Sequence, residues 1–302
     1  MQPDHRRRPA AYRRRAGGVG SDVTRPLPAL LAFVALMVAT AAPPARAASD
    51  AERLRRHVPV LVLDAREPGP PVAVDAFLRG ARGDRARRAP ARVYGHAARD
   101  GGRLWLQYWF FYPDNPQDRG IVRSGRHEGD WEMLQVGLGA RGRPEAVTFA
   151  QHSWRQGCAW GEVARAGAAP VAYVAHASHA SYPRRGTHDR PLPDPNDEAR
   201  GDGLRVRPPV RVITDRKPAW VASRRRWGSS RAAWWSPAEQ SSPAGPRFQD
   251  DGRWSRPAAW HAGARPCATG PPGYPWGAFA TAAGLLALAV AAGVRGRASS
   301  AC

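Results

Sequence analysis

Gly125-Arg126-His127-Glu128-Gly129-Asp130-Trp131-Glu132, continued by the strand-like run Met133-Leu134-Gln135-Val136, holds the densest cluster of chemistry-bearing side chains in this sequence. Side chains two apart on an extended backbone share a face. Asp130 and Glu132 therefore project together in line with Leu134 and Val136, while Trp131 points to the other side. Two acids aligned with residues that want burial are costly unless a cation or hydrogen-bond donors compensate them. His127 lies three residues before Asp130, behind Gly129, and a bend at the glycine brings its imidazole beside both carboxylates. The set reads as a hard-cation pocket. A buried hydrogen-bonded network that fixes loops and binds nothing is the competing reading.

Working outward, Leu104-Trp105-Leu106-Gln107-Tyr108-Trp109-Phe110-Phe111-Tyr112 is apolar on both faces and rich in aromatics, as a central strand between two layers requires. Pro113 to Gly120 then turns the chain into the motif. Earlier, His57 to Asp64 reads as a buried first strand closed by a Pro/Gly turn at Pro68–Pro71. Val72–Leu78 reads as a short helix or strand and Gly80–Pro90 as a loop. Later strands are expected at Ala146–Trp154 and Val171–Ala175, the second running into His176-Ala177-Ser178-His179-Ala180-Ser181-Tyr182-Pro183. Short strands separated by turn signals predict a mostly β chain, an antiparallel β-sandwich with long loops, over residues 57–262. Residues 184–218 read as a long decorated loop. Trp220, Trp227, Trp234, Trp235, Trp254 and Trp260 would pin an irregular segment onto the sandwich. Linkers are expected at 48–56 and 263–275.

The composition, with 12 Trp, 30 Pro and 31 Gly in 302 residues, suits a loop-rich, strand-built extracytoplasmic domain. Of 46 basic residues only Lys217 is a lysine, and the arginines are scattered through loops instead of interleaved with aromatics along one element. That pattern argues against nucleic acid as a partner, whereas a net charge of +21 would attract anionic lipid headgroups or wall polymers. Residues 1–47 carry an Arg-rich start, an apolar run from Leu27 to Ala42 and Ala45-Arg46-Ala47, the features of a signal peptide cleaved near Ala47. An uncleaved anchor is the alternative. Trp276–Val294 is uncharged and long enough to cross a bilayer, and Arg295 and Arg297 follow it in the short tail 295–302. Together they predict a single-pass protein of the cell membrane with its domain outside and a C-terminal transmembrane helix. Cys158 and Cys267 both fall in the exported region and can pair as a disulfide.

The succession VPVLVLD, LQYWFFYP, HEGDWE, FAQHS, VAYVAHASHASYP, RWGSS and SSPAGPRFQ resembles the vacuolar protein sorting-associated protein 62 family over roughly residues 55–262. That family has no established biochemical activity. A second, local similarity is to the necrosis- and ethylene-inducing-like proteins, secreted β-sandwich cytolysins whose signature is Gly-His-Arg-His-Asp-Trp-Glu. There the first His, the Asp and the Glu bind a divalent cation used in recognising sphingolipid headgroups. Those positions fall on His127, Asp130 and Glu132; the second His is Gly129 here. The family's further Asp ligand corresponds to Asp114, with Asp118 next.

These readings converge on an exported, membrane-anchored module that uses Ca2+ or Mg2+ at His127, Asp130, Glu132 and Asp114 to bind a lipid headgroup or glycan. His179 and His152 are further candidates for the pocket, because each ends a predicted strand. Two alternatives stand beside it. One is a metal-dependent hydrolase with His127 or His179 as acid or base. The other is a structural surface protein with a metal-free polar network.

Overall fold

The computed structural model describes residues 48–117, 126–190, 194–229, 242–249 and 251–267. The expected leader at 1–47, the span at 276–294, the tail at 295–302, Gly125, Asp118, Trp234 and Trp235 lie outside them. Among the described residues no helix is long and apolar enough to cross a membrane.

Where a linker is expected at 48–56, the chain forms a helix, α1 (Asp50–Arg56). The Ser49 hydroxyl accepts from the Glu52 amide while the Glu52 carboxylate takes the Ser49 amide, so two orphan donors are satisfied at once. Leu54 turns inward and is fully buried. β1 (Val60–Leu63) follows, then two short helices, α2 (Asp75–Leu78) and α3 (Gly83–Arg87), the second within the stretch read as a loop. The main strands are β2 (Val93–Asp100), β3 (Arg103–Asn115), β4 (His127–Leu138), β5 (Pro144–Gln151) and β6 (Trp154–Ala159). β7 (Arg165–Ala166), β8 (Ala169–Val174) and β9 (Ser181–Tyr182) come next.

Residues 184–218 are not one irregular loop. They contain β10 (Gly186–His188), β11 (Asp197–Ala199), β12 (Arg205–Val206) and β13 (Val210–Val212), each two or three residues long and so too short to show a period. α4 (Pro257–Ala262) and β14 (Arg265–Pro266) close the described chain; β14 lies where a linker is expected because it pairs with β6.

The larger sheet runs β13-β2-β3-β4-β5-β6-β14, the smaller β12-β1-β8-β7 with β9 beside β8. The fold is mostly β, but the sheets are mixed: β1 pairs β8, β13 pairs β2 and β14 pairs β6 in parallel. Alternation carries no information on strand direction, which is why an all-antiparallel expectation fails here. The two sheets share one core, in which Leu61, Leu63, Ala172 and Val174 meet Tyr108, Phe110, Leu134, Val136 and Phe149. The other face of the large sheet is equally dry: Trp109, Phe111, Trp131 and Met133 pack under Phe77, Trp220, Trp227, Trp254 and Trp260. β3 and β4 are therefore sandwiched between layers, as their two-sided apolar sequence requires.

Register places the motif within this frame. Tyr112 opposes Asp130 and Phe110 opposes Glu132, so both acids share the intersheet face with Leu134 and Val136. Gly129 sits at φ 63°, and a Cβ there would lie 2.0 Å from the Trp227 carbonyl oxygen. Only glycine satisfies both the conformation and the contact.

Cys158 of β6 and Cys267, which follows β14, are disulfide-bonded and buried, closing a loop of sequence separation 109. Cross-links over loops of that size stabilise by roughly 2–5 kcal/mol. Cys267→Ser should therefore lower the urea unfolding free energy by about that amount; an unchanged midpoint would show that the clip contributes nothing.

Candidate functional site

Asp130, one of the two buried acids of β4, is compensated chiefly by one histidine from the smaller sheet's side. The chain between β8 and β9 folds back at once, Ala175 N–H donating to Ala180 O at 3.0 Å and His179 N–H to Ala175 O at 3.1 Å. So tight a reversal puts Ala177 (φ 65°) and His179 (φ 56°) in the left-handed region. Non-glycine residues occupy it only when their surroundings fix them there.

What fixes His179 is a pair of carboxylates. Its Nδ1 lies 2.8 Å from Asp130 Oδ2, and its Nε2 lies 3.2 Å from Oε1 of Glu67, in the turn after β1. The ring stacks on Tyr112, with centroids 3.9 Å apart and planes 5° from parallel. Burial pushes the His179 pKa down, but the Glu67 charge and the Asp130 hydrogen bond outweigh it and raise the value to about 10. The ring is held toward the imidazolium form, hydrogen-bonded to Asp130 through Nδ1 and ion-paired with Glu67 through Nε2.

The acids respond accordingly. Burial opposes ionisation of Asp130, yet the His179 hydrogen bond and nearby His127 hold its pKa below the ordinary value; Asn115 Nδ2 also donates to Oδ2 at 3.2 Å. Glu67 is likewise held down by His179 against burial, and its Oε2 accepts from Ala177 N–H at 2.9 Å. Glu132 goes the other way: burial and the neighbouring Asp130 charge push its carboxyl well up.

A second knot lies against the first. Asp197 of β11 is fully buried and accepts from four side chains: Gln117 at 3.0 Å and Ser178 at 2.7 Å on Oδ1, His152 at 2.8 Å and Tyr182 at 2.6 Å on Oδ2. Burial works against its charge, but His152 and the other donors hold the carboxyl well below the usual range. His152, like His179, has a left-handed backbone, at φ 55°.

Of the expected ligands, Asp130 and Glu132 lie in this seam. His127 lies at its edge, its ring hydrogen-bonded to Gly129 O at 2.9 Å and its charge acting on Asp130. Asp114 turns away to pair with the Arg87 guanidinium at 2.5 Å. His179 joins Asp130, whereas His152 joins Asp197. Asp118 lies outside the described residues. In this arrangement Arg87 takes an Asp114 oxygen, Asn115 and His179 share an Asp130 oxygen, and burial beside Asp130 pushes the Glu132 carboxyl toward its neutral form. Among the described residues no group of three or more His, Cys, Asp or Glu is placed to hold a metal.

Sequence reading missed Glu67, Asn115, Tyr112 and Asp197. Glu67 looked like part of a Pro/Gly turn and Asp197 like part of a polar loop. Their partners His179 and His152 lie 112 and 45 residues away in the chain, beyond any local pattern. The two histidines framed by Ala and Ser in AHASHAS are the local signal of a tight turn built from small residues.

In front of the seam is a cleft of about 370 Å³, lined by Asp114, Asn115, Pro116, Arg126, His127, Glu128 and Ser229. The glycine bend at Gly129 aims Glu128 at the layer opposite the seam, where it takes Arg82 Nε at 3.1 Å and Ser229 N–H at 3.0 Å.

No family model matches the chain, and no curated protein does, so neither supports the resemblance to the vacuolar protein sorting-associated protein 62 family. Solved structures with some likeness include Necrosis and Ethylene inducing Protein 2 from the causal agent of cocoa's Witches Broom disease, at 14% identity over 55% of this chain and 74% of that one, TM-score 0.35. Another is described as a "toxin fold for microbial attack and plant defense", at 18% identity over 55% and 74%, TM-score 0.37. A third is NLPPya in complex with glucosamine, at 17% identity over 55% and 73%, TM-score 0.35. These are neighbours of the toxin-fold class at low identity, and at such scores they carry nothing about ligand or activity for this chain.

The linkage has a definite sign. A raised histidine pKa adds stability that is complete below the unfolded value of 6.5 and is lost as pH rises toward about 10. Asp130 and Glu67, held down, add stability above their unfolded values of 3.8 and 4.5 that is lost in acid. Glu132, pushed up, opposes them above 4.5. His179→Gln should cost on the order of 3–5 kcal/mol near neutral pH, because it strands two buried carboxylates. It should also flatten the alkaline loss, read by urea unfolding between pH 6.5 and about 10. Parallel stability curves for wild type and variant across that window would exclude His179 as the buried cation.

Proposed function

We propose that the protein is an extracytoplasmic binding module whose cleft beside His127 takes a polyhydroxylated ligand, a glycan or the sugar headgroup of a lipid. The observation that carries this reading is the cleft itself, about 370 Å³ and lined by carboxylate, amide, imidazole and hydroxyl groups in front of a fully buried polar seam. Ligand sites of this size fix orientation through a few convergent polar groups held on rigid elements. Here Asn115 and His127 oppose one another across β3 and β4, and Glu128 is held by Arg82 and Ser229. Carboxylates and amides together accept from and donate to sugar hydroxyls.

Export by the leader at 1–47 and anchoring by the span at 276–294, in the cell membrane with the domain outside, belong to the same proposal. They rest on the apolar runs and flanking charges of the sequence.

A cation-dependent version of the module, using Ca2+ or Mg2+, has one observation in its favour. Glu132 and Asp130 are neighbouring buried acids, and the charge on one suppresses ionisation of the other. A cation would relieve that repulsion, but loading it needs Asp130 to be released from His179 and Glu132 to ionise.

Titration calorimetry of the full-length protein against a set of neutral and amino sugars tests the reading. His127→Ala and Asp114→Asn should each weaken binding roughly ten- to a hundredfold, the loss of hydrogen bonds to charged groups. Wild-type affinity in both variants would remove the cleft as the site. Repeating the titration after chelation, with metal content measured on wild type and Glu132→Gln, separates the two versions. Unchanged affinity and no metal leave the metal-free module.

A further inference from the structure

We infer that the segment around Phe248 is a docking surface for an anionic membrane leaflet. The inference does not depend on what the cleft binds. Arg216, Lys217, Arg224, Arg225, Arg226 and Arg247 are all exposed and lie on chain segments that contact one another. Arg224 and Arg247 both stand over the Phe248 ring, 4.9 Å and 5.6 Å from its centroid. Arg226 bridges to Ala244 and donates to Ser242 O at 3.2 Å, and Arg247 donates to Asp215 O at 2.8 Å. Lys217 O accepts from Thr214 N–H at 2.8 Å in the turn that carries Asp215.

The charge of this group is not cancelled. The side-chain hydrogen bonds of Arg226 and Arg247 go to carbonyl oxygens, and none of the six forms an ion pair with a carboxylate among the described residues. The acid within the group, Asp215, forms no ion pair with any of the six, and its Oδ1 accepts from the Trp254 indole at 2.8 Å. Six cations this close with no carboxylate pairing them among the described residues repel one another, so the arrangement gains when anions approach.

A bilayer suits the patch better than a nucleic acid. Single-strand binding needs free aromatic faces for base stacking, but the Phe248 and Trp227 rings already face guanidinium groups of Arg224, Arg247 and Arg225. Val212, a large apolar side chain left 38% exposed, lies on the strand leading into the same region. Guanidinium groups are weakly hydrated and match phosphate geometry. Basic groups beside an exposed apolar side chain are the chemistry of the headgroup boundary.

Flotation of the full-length protein tests this with two kinds of vesicle, phosphatidylcholine alone and phosphatidylcholine with phosphatidylglycerol at roughly a third of the lipid. The apolar runs of the full chain contribute to both, so the readout is the preference for anionic over neutral vesicles. Wild type should prefer the anionic vesicles strongly, and about 0.5 M salt should abolish the preference. The triple change Arg224→Gln/Arg225→Gln/Arg226→Gln should reduce it about a hundredfold, at roughly fivefold per charge. Arg224→Lys/Arg225→Lys/Arg226→Lys should retain most of it. Should the glutamine triple fail to fold, Arg216→Gln/Lys217→Gln/Arg247→Gln gives an equivalent loss. Equal partition of wild type onto both vesicles, or a preference intact in a folded glutamine triple, overturns the inference. Capture by soluble dextran sulfate without any vesicle preference overturns it in favour of a polymer surface.

Discussion

His179 stands between Asp130 and Glu67, and through that one ring the large sheet, the turn after β1 and the β8–β9 reversal are joined. Taking three charges out of water costs several kcal/mol each, and only close, well-directed pairing offsets it. The pairing here is close: both ring nitrogens face carboxylate oxygens, and the ring lies flat on Tyr112. The arrangement is all or nothing. Removing the cation leaves two anions in a dry interface, and removing one anion leaves the imidazolium half compensated. Asp197 follows the same rule by another route, its single charge distributed over four donors from four separate chain positions.

Local strain accompanies this charge network. His152, Ala177 and His179 hold left-handed backbones, each costing on the order of 1–3 kcal/mol. The strain is offset by the hydrogen bonds that both histidines make to buried carboxylates from those turns. Gly129 makes the complementary adjustment without strain. Its positive φ breaks the two-residue alternation of β4, so that Glu128 serves the Trp-lined layer while Asp130 serves the intersheet seam. The bend depends on that residue carrying no side chain, because any Cβ there would meet the Trp227 carbonyl.

The strands and their faces were legible in the sequence because β3 and β4 are long enough to display period and composition together. Thirteen and twelve residues of alternating or doubly apolar pattern leave little freedom in which side is buried. The placement of Asp130 and Glu132 with Leu134 and Val136 followed from that alone. The helix at Asp50–Arg56 was legible in principle, since Ser49 and Glu52 have the spacing of reciprocal capping residues, but seven residues with one buried leucine carry almost no periodic signal. Strand direction was not legible. Alternation is the same for parallel and antiparallel neighbours, and the three parallel pairings are set by tertiary packing. The partners of the charges were the least accessible of all. Glu67 and His179 meet only after the two sheets close, and no pattern in the neighbourhood of either residue encodes the other.

The protonation states bear on what kind of site this is. A general acid or base works best with a pKa near the operating pH, so that it gives and regains a proton readily. The buried seam is tuned away from that condition. His179 is raised to about 10, Asp130 and Glu67 are held ionised, and Glu132 is pushed toward the neutral form. Ser178, the nearest hydroxyl in the reversal, is fully buried and donates to Asp197. The shifts of these groups point away from the neutral range in opposite directions, and the seam acts as an electrostatic floor. One layer out, His127, Glu128 and Asn115 line the cleft, each already held by a hydrogen bond to its surroundings. The proposed binding role rests on this pairing of a fixed, charged interior with a rim of polar groups that line the cleft.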